Sequence, residues 1–120
     1  MNTVICLNSL EETMHIPRAE YCIRDNGPED YSGCFILVFE LDIKAAYFTS
    51  FYIVPEARGN NIAQESLQKV IEMCKFLGFK KIILDVLFDN DVAIHIYRKF
   101  GFEFSPEIYG GIVYRMIKTL

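Results

Sequence analysis

Between Ala45 and Leu87 the hydrophobic period changes twice, which narrows the possible folds more than any other feature of the chain. Ala45 to Val54 is aromatic and β-branched, as a buried strand requires. Pro55 cannot donate to a sheet ladder and closes that strand. From Ile62 to Leu77 the apolar residues Ala63, Leu67, Val70, Ile71, Cys74 and Leu77 recur at helical spacing, with Glu65, Gln68, Lys69, Glu72 and Lys75 on the other face. Gly78 stops this helix, and Lys81 to Leu87 is apolar and β-branched again. Strand, helix, strand predicts a right-handed βαβ unit whose two strands run parallel.

The remaining segments add antiparallel partners. Cys34 to Leu41 is nearly all apolar and, across Asp42-Ile43-Lys44, forms a hairpin with Ala45 to Val54. Asp89-Asn90-Asp91 supplies N-cap chemistry for a helix over Val92 to Phe100, ended by Gly101. Phe102 to Ile108 and Ile112 to Leu120 bracket the turn Tyr109-Gly110-Gly111. Only 33 residues precede Cys34. They are read as a strand near Thr3 to Leu7, a helical turn around Ser9 to Met14 and a strand near Glu20 to Arg24. Asp25 to Asp30 is turn-rich and reads as a loop inside one domain spanning residues 1–120. The expected fold class is α/β (α+β), a mixed, mostly antiparallel sheet with helices on its faces.

Composition excludes several function classes. The chain is 52% hydrophobic, yet no apolar run approaches the ~20 residues that span a bilayer, so the apolar side chains belong to a core. Met1 to Leu10 lacks a basic stretch ahead of an apolar one and does not read as a secretory signal, so cytoplasmic residence is expected. Cys6, Cys22, Cys34 and Cys74 form no CxxC pair, and His15 and His95 are far apart, so four reduced thiols and no metal are expected. A net charge of −4 lacks the basic footprint of general nucleic-acid binding and suits a basic acceptor.

The turn Pro55-Glu56-Ala57-Arg58-Gly59-Asn60-Asn61-Ile62-Ala63 joins the strand to the first helix. A helix N-terminus offers unpaired N–H groups and the positive end of a dipole, which stabilise an anion such as pyrophosphate. Gly59 and Ala63 let backbone approach a ligand, and Asn61 tolerates positive φ. Taken alone, the same residues would serve equally well as a helix cap.

A second motif distinguishes the two. Asn90 to Phe102 has the form N-x-x-A-x-x-x-Y-x-K-x-G-F, built on Asn90, Ala93, Tyr97, Lys99, Gly101 and Phe102. With Ile53-x-Pro-x-x-Arg58, Gly78-Phe79 and the alternating Ile82, Leu84 and Val86, it resembles the GNAT superfamily of N-acetyltransferases in order and spacing from about Ala45 to Phe102.

That resemblance implies a GNAT-like sheet with splayed strands around Val54 and Val86, and acetyl-CoA as cosubstrate. It implies that Arg58, Gly59, Asn60, Asn61, Ile62 and Ala63 cradle pyrophosphate, although Asn61 replaces the pattern's middle glycine. Ile53 and Val54 would offer backbone groups to the pantetheine arm; Asn90, Tyr97 and Lys99 complete the cofactor set. Tyr97 would be the general acid that protonates the departing thiolate. Read only as a helix residue, it belongs to the apolar face with Ala93, Ile94 and Phe100.

The strand stretch Ala46 to Phe51 lacks the glutamate common in the family; Asp85 instead stands at the position that matches an acid in the family's ribosomal-protein alanine N-acetyltransferases, and that resemblance makes it the candidate base. A carboxylate within an apolar strand is costly unless paired or useful; the competing reading is an acid that faces the sheet's solvated side or pairs with Lys80 or Lys81. His95, two positions before Tyr97, is expected to be exposed, and Cys74 to be core.

The acceptor is a primary amine of unspecified kind: a protein N-terminus, a lysine or a small amine. The short N-terminal third implies an open acceptor side or a site completed by a second copy, as a homodimer. The rival reading is a non-catalytic module that holds acetyl-CoA and contacts a protein partner.

Overall fold

The computed structural model describes residues 3–13, 16–24, 30–59, 61–109 and 111–120. The described strands are β1 (Val4–Thr13), β2 (Ile16–Arg24), β3 (Gly33–Glu40), β4 (Ala45–Ile53), β5 (Lys81–Leu87), β6 (Glu103–Tyr109) and β7 (Val113–Thr119). The helices are α1 (Ile62–Phe76) and α2 (Asp91–Lys99), and Pro55–Ala57 forms one 3-10 turn after β4. The strands make one seven-stranded sheet in the order β1-β2-β3-β4-β5-β7-β6. Every neighbouring pair is antiparallel except β4 and β5, the parallel pair that the change of period predicts.

The N-terminal third departs from expectation. There is no helical turn at Ser9 to Thr13: β1 continues to Thr13 through a register shift between Leu7 and Ser9, and β2 starts at Ile16 instead of Glu20. Met14 lies outside the described residues. Glu11 sits opposite Arg18 and Leu10 opposite Ala19. Cross-strand pairing of this kind overrides the local helix preference of the two glutamates.

Alternation along β3 sets the core face. Phe35, Leu37 and Phe39 are buried, while Cys34, Ile36 and Val38 between them are only half-buried. Leu67, Val70, Ile71 and Cys74 of α1 join that cluster with Ile82, Leu84 and Val86 of β5, and Ala93, Ile94 and Tyr97 of α2 pack against it. Both crossovers, β4-α1-β5 and β5-α2-β6, move the same way along the sheet, so the handedness rule places both helices on one face. The other face carries no described helix. Thr3, buried, donates its hydroxyl to the Glu65 carboxylate and ties the chain's start to the first turn of α1.

Candidate active site

The site begins with an irregularity in β4. Cys34 pairs with Tyr52 and Ile36 with Thr49, so β4 spends one residue more than β3 over that interval, a β-bulge. Ser50 takes φ 56°, the left-handed region, inside it. A bulge bends its strand, and the parallel pairing of β4 with β5 stops at Tyr47 and Ile83. Beyond that point the strands diverge.

The divergence leaves a cavity of about 290 Å³ lined by Phe48, Thr49, Leu84, Val86, Asn90 and Tyr97, among others. A second cavity, of about 390 Å³, is lined by Val38, Glu40, Tyr47 and Ile83 and shares Phe48, Thr49, Leu84 and Asp85 with the first. The strand alternation puts these two cavities on opposite faces, so the gap passes through the sheet. A wider groove of about 790 Å³ runs along α1 past Asn61 and Gln68, but neither Tyr97 nor Asp85 lines it.

Ile53, Val54 and Arg58 line neither cavity, but the backbone at the end of β4 has a definite direction. Val54 N–H donates to Ser32 O at 2.8 Å, across the Gly33 and Ile53 pair. That bond flanks a pair that does not bond directly, so the N–H of Ile53 points away from β3 and toward the gap. Arg58 Nε donates to Ile53 O at 2.9 Å, and its guanidinium lies 5.6 Å from the Tyr52 ring centroid. Arg58 thereby holds the turn against the end of β4.

The turn has the conformation its residues permit. Gly59 has φ 85°, with open space where a Cβ would sit, and Asn61 has φ 61°. Asn61 accepts the Glu65 N–H through its backbone carbonyl but makes no side-chain cap, so the first-turn amides of α1 at Ile62 and Ala63 are not occupied by a capping side chain. Asn60 lies outside the described residues.

On α2, Asn90 caps the helix by accepting the Ala93 N–H at 3.2 Å through Oδ1, and it also lines the gap. Tyr97 stands two turns on, at 5.8 Å from the Phe102 ring centroid. Burial pushes its phenol up to about 12. Lys99, expected in the cofactor set, is exposed in the last turn of α2 and does not line this cavity. His95 is exposed and Cys74 fully buried, as their positions imply.

Asp85 reaches the gap, but its partner is neither Lys80 nor Lys81. Arg115 stands directly opposite it on β7 and donates through Nε at 2.9 Å to one carboxylate oxygen and through NH2 at 3.2 Å to the other. The guanidinium also lies 5.7 Å from the Tyr47 ring centroid. Asp85 is 43% exposed and Arg115 21%, so this is a half-wet ion pair, not a buried one. Sequence reading missed Arg115, Ser50 and Thr49. Nothing local marks Arg115, because its partner is thirty residues away.

Comparison with known proteins gives the family and the fold. A model described as the acetyltransferase (GNAT) family matches residues 7–102. A Bacillus subtilis protein provisionally named as an alanine N-acetyltransferase of ribosomal protein bS18 is 28% identical over 94 residues, 77% of this chain and 59% of its own length. An uncharacterized N-acetyltransferase of the same organism, YdgE, is 34% identical over 59 residues, 49% of this chain and 38% of its own. The chain therefore spans 59% and 38% of the lengths of these two relatives. Among solved structures, the Vibrio cholerae spermidine N-acetyltransferase in complex with CoA and spermine superposes with a TM-score of 0.76 at 21% identity, covering 85% of this chain and 65% of that one. A Bacillus subtilis acetyltransferase in complex with CoA gives 0.74 at 14% identity, covering 86% and 77%.

Proposed function

The chain belongs to the acetyltransferase (GNAT) family, and from that premise we propose that it moves the acetyl group of acetyl-CoA directly to a primary amine. The observation that carries this reading is the gap through the sheet, with a neutral phenol on one side and a carboxylate at its other mouth. The residues present fit the cosubstrate: an uncapped helix start behind a left-handed Asn61, open space at Gly59, and an Ile53 amide aimed into the gap. Arg58 to Ala63 would hold pyrophosphate, Ile53, Val54 and Asn90 the pantetheine arm, and acetyl-CoA supplies an activated thioester when bound.

The remaining chemistry falls to two side chains. The Tyr97 phenol, held neutral by burial, donates to sulfur as negative charge develops there. Asp85 faces the side that carries no described helix, where an amine enters, and accepts a proton from the acceptor ammonium directly or through water. An ammonium with pKa ~10 needs such help near neutrality. Residues 1–120 act as one domain in this reading, with the acceptor on the open face as a protein N-terminus, a lysine or a small amine.

One observation favours a second reading. Asp85 is already gripped at both oxygens by Arg115, and the stretch Ala46–Phe51 carries no other acid. A module that binds acetyl-CoA and contacts a protein partner without catalysis would look the same. Thiol release from acetyl-CoA, measured against a panel of amines, peptides and polyamines, separates the two. Acceptor-dependent release is expected; tight binding with no turnover on any acceptor would establish the regulatory module instead.

A further inference from the structure

Three of the four cysteines stand in one row. Cys6 pairs with Cys22 across β1 and β2, and Cys22 with Cys34 across β2 and β3. Directly opposed residues share a face, and Ile23 and Phe35, their chain neighbours, point into the core. The three thiols therefore lie on the face that carries no described helix, free and half-buried, whereas Cys74 is sealed in the core with its thiol pushed up to about 12.

The two pairs in this row are not equivalent. A strand residue points its N–H and C=O to the same side, so Cys22 bonds directly with only one neighbour. The Val54 N–H to Ser32 O bond identifies which one. It makes Gly33 and Ile53 a pair without mutual bonds, so the backbone of Gly33 faces β2 and that of Cys34 faces β4. Cys22 and Cys34 are thus a non-hydrogen-bonded pair, the type with Cα atoms about 4.5 Å apart and side chains closest. That spacing lies within the range a disulfide bridges. The Cys6 and Cys22 pair is the wider type. The Tyr31 hydroxyl hydrogen-bonds the Cys34 thiol from the preceding loop.

A single metal ion does not suit the row, because its outer members are two strand spacings apart, roughly 10 Å. We propose instead that Cys22 and Cys34 form a reversible two-electron redox site that hydrogen peroxide oxidises to an intramolecular disulfide. One thiolate attacks the peroxide, forming an S–O bond as the O–O bond breaks and water leaves. The second thiol then attacks that sulfur, the S–S bond forms, the S–O bond breaks and a second water leaves. Two thiols lose two electrons and two protons to one peroxide, and a dithiol reductant reverses the change.

The test uses the full chain, folded, at neutral pH. It is treated with hydrogen peroxide, blocked with N-ethylmaleimide, digested and mapped by mass spectrometry. The expected product is a monomer lighter by two hydrogens, with a Cys22–Cys34 crosslink that dithiothreitol removes. Cys6→Ser should leave that product intact, and Cys34→Ser should abolish it while leaving Cys22 open to blocking. A Cys6–Cys22 crosslink, a crosslink between chains, or oxidation of single thiols without a bridge would each overturn the assignment.

Discussion

Tyr97 is held as a neutral phenol by its surroundings, since burial raises its pKa from 10.0 to about 12. A group so held can donate to a thiolate at any working pH, and it imposes no loss of activity in the mildly alkaline range. Tyr97→Phe keeps the ring and its contact with Phe102, so acetyl-CoA affinity should persist while turnover falls by roughly 10²-fold. Isothermal titration and single-turnover assays read the two separately; unchanged turnover would remove Tyr97 from the mechanism. Asp85 calls for a pH profile, because its bidentate ion pair with Arg115 is compatible with either a base or a brace. If it accepts the acceptor's proton, Asp85→Asn should depress kcat/KM most near pH 7 and least near the pKa of ~10 at which the amine deprotonates unaided. A uniform depression across that range would make Asp85 a structural partner of Arg115 only.

At the scale of elements, the turn into α1 and the β4 bulge each depend on one non-glycine residue in the left-handed region, Asn61 and Ser50. Asparagine occupies this region at little expense, which is why α1 can start there without a glycine. Asn61→Val should destabilise the fold by roughly 1–2 kcal/mol, since a β-branched side chain clashes at positive φ. Asn61→Gly should leave the melting temperature unchanged or slightly higher. Equal melting temperatures for the two variants would contradict the conformation of the turn. The elements themselves were largely legible: Lys81 to Leu87 coincides with β5, and the cap of α2 falls within Asp89-Asn90-Asp91, at Asn90, one residue ahead of a helix that starts at Asp91 instead of Val92. The failure was Ser9 to Met14, where glutamate favours a helix and only the facing residues Ile16 to Glu20 make the described part, through Thr13, a strand.

For the whole molecule, alkaline pH probes how tightly the two helices close on the sheet. Cys74 of α1 and Tyr97 of α2 both ionise later in the folded chain, from 9.0 and 10.0 up to about 12 each, chiefly because burial disfavours their charged forms. Below pH 9 both are protonated whether folded or not, and their contribution is intact. Above it the unfolded chain releases protons that the folded chain retains, so stability falls until the folded pKa values are passed near 12. The melting temperature should therefore hold up to about pH 9 and fall beyond it, with a shallower slope in Cys74→Val. An identical slope in that variant would show that Cys74 is not a source of the decline.

The sequence by itself determined the parallel βαβ unit, the turn from Pro55 to Ala63 and the position of Tyr97 on its helix. Each depends on residues close together in the chain, where periodicity, proline and glycine act directly on the backbone. Only the tertiary structure decided that β4 bulges at Ser50, that Asp85 is held by Arg115, that one sheet face carries no described helix, and that Cys6, Cys22 and Cys34 stand in a row there. Each of these follows from strand register, and register is set by pairing between residues far apart in sequence, which no local pattern records.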